Sequence, residues 1–319
     1  MSELTTLRLF GNSEEDIQKA AAMLKDGKLV AFPTETVYGL GASVFNPEAL
    51  KKVFQAKGRP IDNPLIAHVC SIDELELLAA EIPEDAKKLA AAFFPGPLTI
   101  VLPAKATIPR EATGGLDTIA IRMPNHPIAL QLLKLSGPLC APSANISGRP
   151  SPTNAYHVLE DLDGKIDAVL DGGQCTVGIE STVIRVSPSP MILRPGMITA
   201  EQIEEVLKKK VEIVSKGEKN IQSPGMKYRH YSPKAHLHMC STHEEFDGLQ
   251  RRFPHAMKLS MHVSTQFGDI FPLKEHTYYD ILRSADIKGV KDIIILFPIE
   301  DRSSKSALFN RIEKALGEQ

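Results

Sequence analysis

Three short stretches of the sequence carry residue types suited to holding an anion. In "KGRPIDN", Lys57 and Arg59 flank one glycine, and Asn63 follows four residues after the arginine. An arginine fork grips phosphate or carboxylate oxygens in pairs, whereas a lysine supplies a point charge. A Gly-Pro corner would hold both cations in fixed directions, as a clamp; a basic surface turn has the same composition, and both readings stand. "FPTETVYGLGA" places Thr34, Thr36 and two glycines directly after the apolar run "LVAF". Hydroxyls and backbone amides at a strand's end are where α/β sheets bind ligands, although threonines also satisfy tight turns. "APSANISGRPSP" gathers Ser143, Asn145, Ser147 and Ser151 beside Arg149. That is a set of donors for an anion that adds little net charge, or else a polar surface turn. Arg122 in "DTIAIRMP", Ser181 in "GIESTVI" and Arg194 in "ILRPG" lie at the ends of β-rich runs, and His68 sits inside "LIAHV".

The composition narrows the classes. A chain of 319 residues with 43% hydrophobic and 24% charged residues is long enough for two ordinary globular domains. A net charge of −2 excludes a surface that is basic all over, but not a local basic cleft. Cys70, Cys140, Cys175 and Cys240 are scattered without a C-x-x-C pair, which argues against a zinc site or disulfide framework and suits a reducing compartment. No basic segment followed by an apolar run opens the sequence, and runs such as "DIIILFP" are too short to span a bilayer, so a cytoplasmic protein without a membrane role is expected. Neither G-x-S-x-G, nor a P-loop, nor a G-x-G-x-x-G after a strand is present.

The elements that must position these residues follow from periodicity. Ser13 caps a helix whose Ile17, Ala21 and Leu24 share a face, with Gly27 as its stop. Asn46 caps a second helix with Pro47 at its first position and Gly58 at its end. "PLTIVLPA", "DTIAIRMP", "PLCAPS", "DAVLDGG", "STVIRVS" and "MILRPG" read as strands, alternating with helical "DELELLAAEIP", "EDAKKLAAAF" and "HPIALQLLKLSG". This predicts an α/β domain with a mixed sheet over residues 1–212, ending in a helix capped by Thr199. A polar segment at 213–235 reads as a linker, and 236–319 as a small βαβ-type, Rossmann-like domain with a parallel sheet.

Taken together, Lys57-Gly58-Arg59, Ser143-Ala144-Asn145, "PTETVYGLG", "GIESTVI", "LRPG" and the linker's "SPGMKYRHYSP" resemble the threonylcarbamoyl-AMP synthases of the YrdC/Sua5 family, in the long form with a C-terminal domain. The resemblance spans the chain and implies a YrdC-like twisted mixed sheet with flanking helices and a concave basic cleft. It implies a nucleotidyltransferase joining L-threonine, bicarbonate or CO2 and ATP into threonylcarbamoyl-AMP and pyrophosphate, for the t6A modification of tRNA. By the same resemblance, Arg59, Asn63, Thr118, Ser143, Asn145, Ser151, Arg194 and Tyr231 contact ATP. Thr36, His68, Arg122, Ala141 (through its backbone) and Ser181 hold threonine, and Lys57 acts with Arg59 on the phosphates or the forming carbamate. Mg²⁺ is expected on the ATP phosphates, with no metal held by protein side chains. The linker is expected to close as a lid carrying Tyr231, and a downstream transferase complex to be the partner, with weak tRNA contact. The competing reading is a double-stranded RNA-binding module using Lys57, Arg59, Arg122, Arg149 and Arg194 as a groove, without chemistry of its own.

Overall fold

The computed structural model describes residues 5–214, 231–266 and 268–317, so most of the expected lid lies outside the described residues. Two compact units divide them: 5–147, 151–176 and 180–214 in the first, and 148–150, 177–179 and 231–317 in the second. The first unit contains strands β1 (Leu7–Phe10), β2 (Val30–Phe32), β3 (Gly39–Ser43), β4 (Ile66–His68), β5 (Leu98–Pro103), β6 (Thr118–Arg122), β7 (Leu139–Cys140), β8 (Ala168–Asp171), β9 (Thr182–Arg185), β10 (Met191–Arg194) and β11 (Glu212–Ile213). Its helices are α1 (Glu14–Lys25), α2 (Pro47–Lys57), α3 (Leu75–Leu78), α4 (Glu84–Phe93), α5 (Arg110–Thr113), α6 (Pro127–Ser136), α7 (Ala155–Leu162) and α8 (Ala200–Leu207).

Local signals set the helix ends. The side chains of Ser13, Asn46 and Thr199 each accept a backbone N–H of the first turn, and Thr199 forms a reciprocal capping box with Gln202. Gly58 ends α2 in the left-handed conformation, at φ +59°. The "DELELLAAEIP" stretch yields only the single turn α3, which has no side-chain cap to hold its start. "YGLGA", not counted among the strands expected from the sequence, becomes β3. Glycine suits the close packing there: a Cβ on Gly39 would lie 3.0 Å from the Ala141 Cβ, and one on Gly41 3.0 Å from the Phe32 ring.

Among the described residues, eleven strands form one mixed sheet in the order β1-β8-β2-β3-β7-β4-β6-β5-β9-β10-β11. Strand alternation gives it two faces. Ala67, Ile100, Ile119, Ile121, Cys140 and Ile184 point into the main core with residues of α2, α4, α7 and α8. On the opposite face, α1 and α6 cover the half built from β1, β8, β2 and β7 through Ile17, Leu24, Leu132 and Leu133. Among the described residues, the other half of that face, from β4, β6, β5, β9 and β10, carries the small buried apolar cluster Ile66, Val101, Ala120, Val183 and Leu193, which includes no helical residue. This cluster is the floor on which the polar residues stand.

The second unit holds β12 (His236–Cys240), β13 (Met257–Ser260), β14 (Ile270–Pro272) and β15 (Asp292–Leu296), with α9 (His243–Arg252), α10 (Glu275–Ile287), α11 (Asp301–Ser304) and α12 (Ser306–Leu316). All of its strand pairs are parallel, in the order β12-β15-β13-β14, as a βαβ pattern requires.

Candidate active site

Arg122 ends β6 and pairs in register with His68 at the end of the parallel β4. Both side chains therefore rise on the face floored by Ile66 and Ala120. Arg122 is only 4% exposed. Its Nε donates to the Gly96 carbonyl (3.2 Å) and its Nη1 to Thr36 Oγ1 (2.8 Å). The Thr36 hydroxyl lies 2.9 Å from Thr34 Oγ1, whose own proton goes to the Val37 carbonyl at 2.7 Å. The polarity is thereby set: Thr36 accepts from Arg122 and donates to Thr34. The third guanidinium nitrogen, Nη2, is 2.6 Å from Glu35 Oε1, yet the contact is off-axis and neither atom makes a hydrogen bond. His68 is buried, and desolvation, helped by the Arg122 charge, lowers its pKa to about 3, so the ring is neutral. Its Nδ1 lies 3.2 Å from the Ile66 carbonyl, which makes Nδ1 the donor and leaves Nε2 an acceptor.

Ser181 stands just before β9, on the parity of Val183 and hence on the same face. Its hydroxyl is 2.7 Å from Thr99 Oγ1 and accepts from Arg194 Nη2 at 3.1 Å, while Arg194 Nε donates to the Ser181 carbonyl at 3.1 Å. Arg194 reaches this face through a register shift: Ile192 opposes Ile184, whereas Arg194 opposes Val183. The irregularity turns both Leu193 and Arg194 toward the floor, which strict alternation would forbid. Gly196 is packed so closely that a Cβ would lie 2.2 Å from the Thr182 nitrogen.

The "SAN" loop is held from a distance. Lys57, at the end of α2 and 2% exposed, donates its ammonium to the carbonyls of Ser143 and Asn145. Arg59, two residues on, turns instead to the carbonyls of Asn63 and Pro64, with Nη2 3.0 Å from the latter. Lys57 thereby anchors the "SAN" loop, a contact that the sequence reading of Lys57 and Arg59 as one cationic jaw did not include. Asn63 is 1% exposed, and its Nδ2 is buried without a hydrogen-bond partner. Ser151 donates to Glu180 Oε1 at 2.5 Å. Ala141 donates its N–H to Ile66, so its backbone offers the carbonyl.

The fold thus brings Thr36, His68, Arg122, Ser181 and Arg194 to neighbouring strand ends. Thr118 stands at the opposite end of β6 from Arg122, four residues or roughly 13 Å away. There it neighbours the Arg59–Asn63 corner, because Leu65 pairs with Ala112 and Ile66 with Ala120. Tyr231 belongs to the second unit, where its ring lies 5.6 Å from that of Tyr279 and Arg311 stands over it at 5.5 Å. Arg149 also falls in that unit. Sequence reasoning left two site residues without a role, Glu35 and Glu180; both sat inside the quoted motifs, but nothing local showed that they would meet Arg122 and Ser151. Cys175 was read only as a scattered cysteine; burial pushes its thiol up to about 12, so it is neutral. Among the described residues, no group of three or more His, Cys, Asp or Glu side chains could hold a metal ion.

Two family models cover the chain. One, for the Sua5/YciO/YrdC family and described as telomere recombination, matches residues 22–196; the other, described as the threonylcarbamoyl-AMP synthase C-terminal domain, matches residues 198–317. The threonylcarbamoyl-AMP synthase of Pyrococcus abyssi is 45% identical, with 95% of each chain covered. That of Bacillus subtilis is 44% identical over 96% of this chain and 94% of its own. The crystal structure of P. abyssi Sua5 complexed with L-threonine superposes with a TM-score of 0.89 at 43% identity, covering 98% of this chain and 97% of that one. E. coli YciO, 21% identical with a TM-score of 0.55 over 64% of this chain and all of its own, shares the fold. With family models matched over residues 22–196 and 198–317 and a relative 45% identical over 95% of each chain, the chain belongs to the Sua5/YrdC family, in the long form that carries the threonylcarbamoyl-AMP synthase C-terminal domain.

Proposed function

We propose that this chain is a threonylcarbamoyl-AMP synthase, the activity named for its Pyrococcus and Bacillus relatives. It joins L-threonine, bicarbonate or CO2 and ATP into threonylcarbamoyl-AMP and pyrophosphate, for transfer to tRNA by a separate complex. The observation that carries this reading is Arg122: a buried guanidinium at the end of β6, whose Nη2 makes no hydrogen bond and meets only the off-axis Glu35 carboxylate at 2.6 Å. An amino-acid carboxylate is the ligand that such a fork fits. Beside it, neutral His68 offers Nε2 as an acceptor for threonine's hydroxyl, while Thr36, Ser181 and the Ala141 carbonyl close the pocket. Arg59, Thr118, Ser143, Asn145, Ser151 and Arg194 take the nucleotide, and the orphaned Nδ2 of Asn63 supplies a donor with no internal use. Lys57 serves by fixing the carbonyls of Ser143 and Asn145. Tyr231's nucleotide contact, and the lid that would bring it, rest on the family resemblance alone.

The carbamate of threonine and ATP are both anions, so catalysis needs their charges neutralised and their reacting atoms held in line. Arginines fixed before the substrates arrive provide this without reorganisation. Mg²⁺ would enter on the ATP phosphates, where a hard cation finds oxygen ligands. No helix among the described residues is long and apolar enough to cross a membrane, and a cytoplasmic setting follows from the tRNA pathway proposed. The RNA-groove reading is weaker, because Lys57, Arg122 and Arg194 are buried beyond the reach of a duplex backbone. Pyrophosphate release from ATP that requires both threonine and bicarbonate, with the adenylate identified by mass, tests the proposal; release independent of threonine refutes it.

A further inference from the structure

The amino-acid subsite contains a carboxylate to which none of the roles above gives work. Glu35 is 6% exposed, and neither of its oxygens accepts a hydrogen bond. A buried carboxylate normally gathers several donors, because its desolvation is costly. Here its one close charged contact is the off-axis approach to Arg122 Nη2, the same nitrogen that a substrate carboxylate would take. The backbone around Glu35 is held firmly: Thr34 Oγ1 accepts from the N–H groups of Thr36 and Val37, both at 3.2 Å. Burial lowers the pKa of His126, outweighing the upward pull of Glu35, and its Nδ1 is buried without a hydrogen-bond partner.

A free α-amino acid is a zwitterion whose ammonium and carboxylate flank a single carbon. A ligand that places its carboxylate on Arg122 Nη2 therefore brings a positive charge next to the very oxygens that have just lost their contact. Resting on the synthase reading above, we propose that Glu35 is the amine-recognition residue of the subsite: it neutralises Arg122 in the free protein and accepts hydrogen bonds from the substrate's ammonium in the complex. The Arg122–Glu35 pair is then a closed form of the zwitterion site, opened by insertion of an amino acid between its two charges. Simple carboxylates satisfy only half of it, which makes the site selective for α-amino acids over α-hydroxy acids.

The test is calorimetric titration of full-length wild type and Glu35→Gln with L-threonine and with its α-hydroxy analogue, in which a hydroxyl replaces the ammonium. Wild type prefers threonine. Glu35→Gln weakens threonine about tenfold or more, as expected for loss of a charge-assisted contact, and leaves the analogue unchanged or tighter, because a competitor for Arg122 is gone. Equal weakening of both ligands, or tightening of both, overturns the proposal and reduces Glu35 to a structural counter-ion. Should Glu35→Gln fail to fold in a melting experiment, Glu35→Ala, which leaves room for water beside Arg122, replaces it with the same expected pattern. A wild type without preference for threonine over the analogue overturns the proposal directly. A wild type that binds neither ligand, with or without ATP, removes the synthase reading itself and this proposal with it.

Discussion

Replacing Lys57 with methionine separates anchoring from phosphate binding. The substitution keeps the apolar stem inside the protein and removes only the ammonium. That ammonium donates to two carbonyls, those of Ser143 and Asn145, 86 and 88 residues away in sequence. A hydrogen bond with one charged partner contributes about 1.5–3 kcal/mol net, so two sum to roughly 3–6 kcal/mol. The retained stem and some water entry at the loop place the expected loss in the lower half, near 3–4 kcal/mol. For a unit of this size, each kcal/mol shifts Tm by about 2–4 °C, giving a fall of roughly 10 °C. Thermal unfolding of full-length Lys57→Met by circular dichroism measures this, with ATP titration of the folded variant alongside. A Tm within about 2 °C of wild type, together with a hundredfold loss of ATP affinity, would show that Lys57 faces phosphate and that the anchoring argument is wrong.

Asn63→Ala removes a donor that no protein atom uses, so stability should change by less than about 1 kcal/mol while ATP affinity falls several-fold; a large stability loss with normal ATP binding contradicts this. Gly196→Ala drives a Cβ into the backbone of Ser181 and Thr182, and should raise the KM for threonine as well as lower Tm; an unchanged KM would detach Ser181 from the subsite. His68, neutral in the fold with a pKa of about 3 against an ordinary value of 6.5, binds its proton only on unfolding. Its contribution is therefore complete above pH 6.5 and is lost as pH falls toward 3, amounting to about 2 kcal/mol by pH 5. Urea unfolding at pH 7.5 and pH 5 should show that extra loss in wild type and not in His68→Gln; equal losses in both would place the titration elsewhere.

The helix boundaries were legible because capping is local. Ser13, Asn46 and Thr199 each meet an amide three residues ahead, so the residue type and its spacing are the whole interaction. Gly58 was legible for the same reason, and so were the quoted motifs, which are contiguous strings. Site geometry was not local. The directions of Lys57 and Arg59 could not be read from "KGRPIDN", because what each side chain meets is decided by loops that sheet pairing brings beside it. Arg194 carries the wrong parity for the face that bears Ser181, and only a slip in the β9–β10 register turns it there. Glu35 was a carboxylate of no evident use until β6 set Arg122 against it. The sequence by itself determined the cations, hydroxyls and caps that this protein possesses. Which of them stand together on one face of the sheet was decided by the tertiary structure, because strand order, register and helix coverage are long-range contacts that no short window of residues contains.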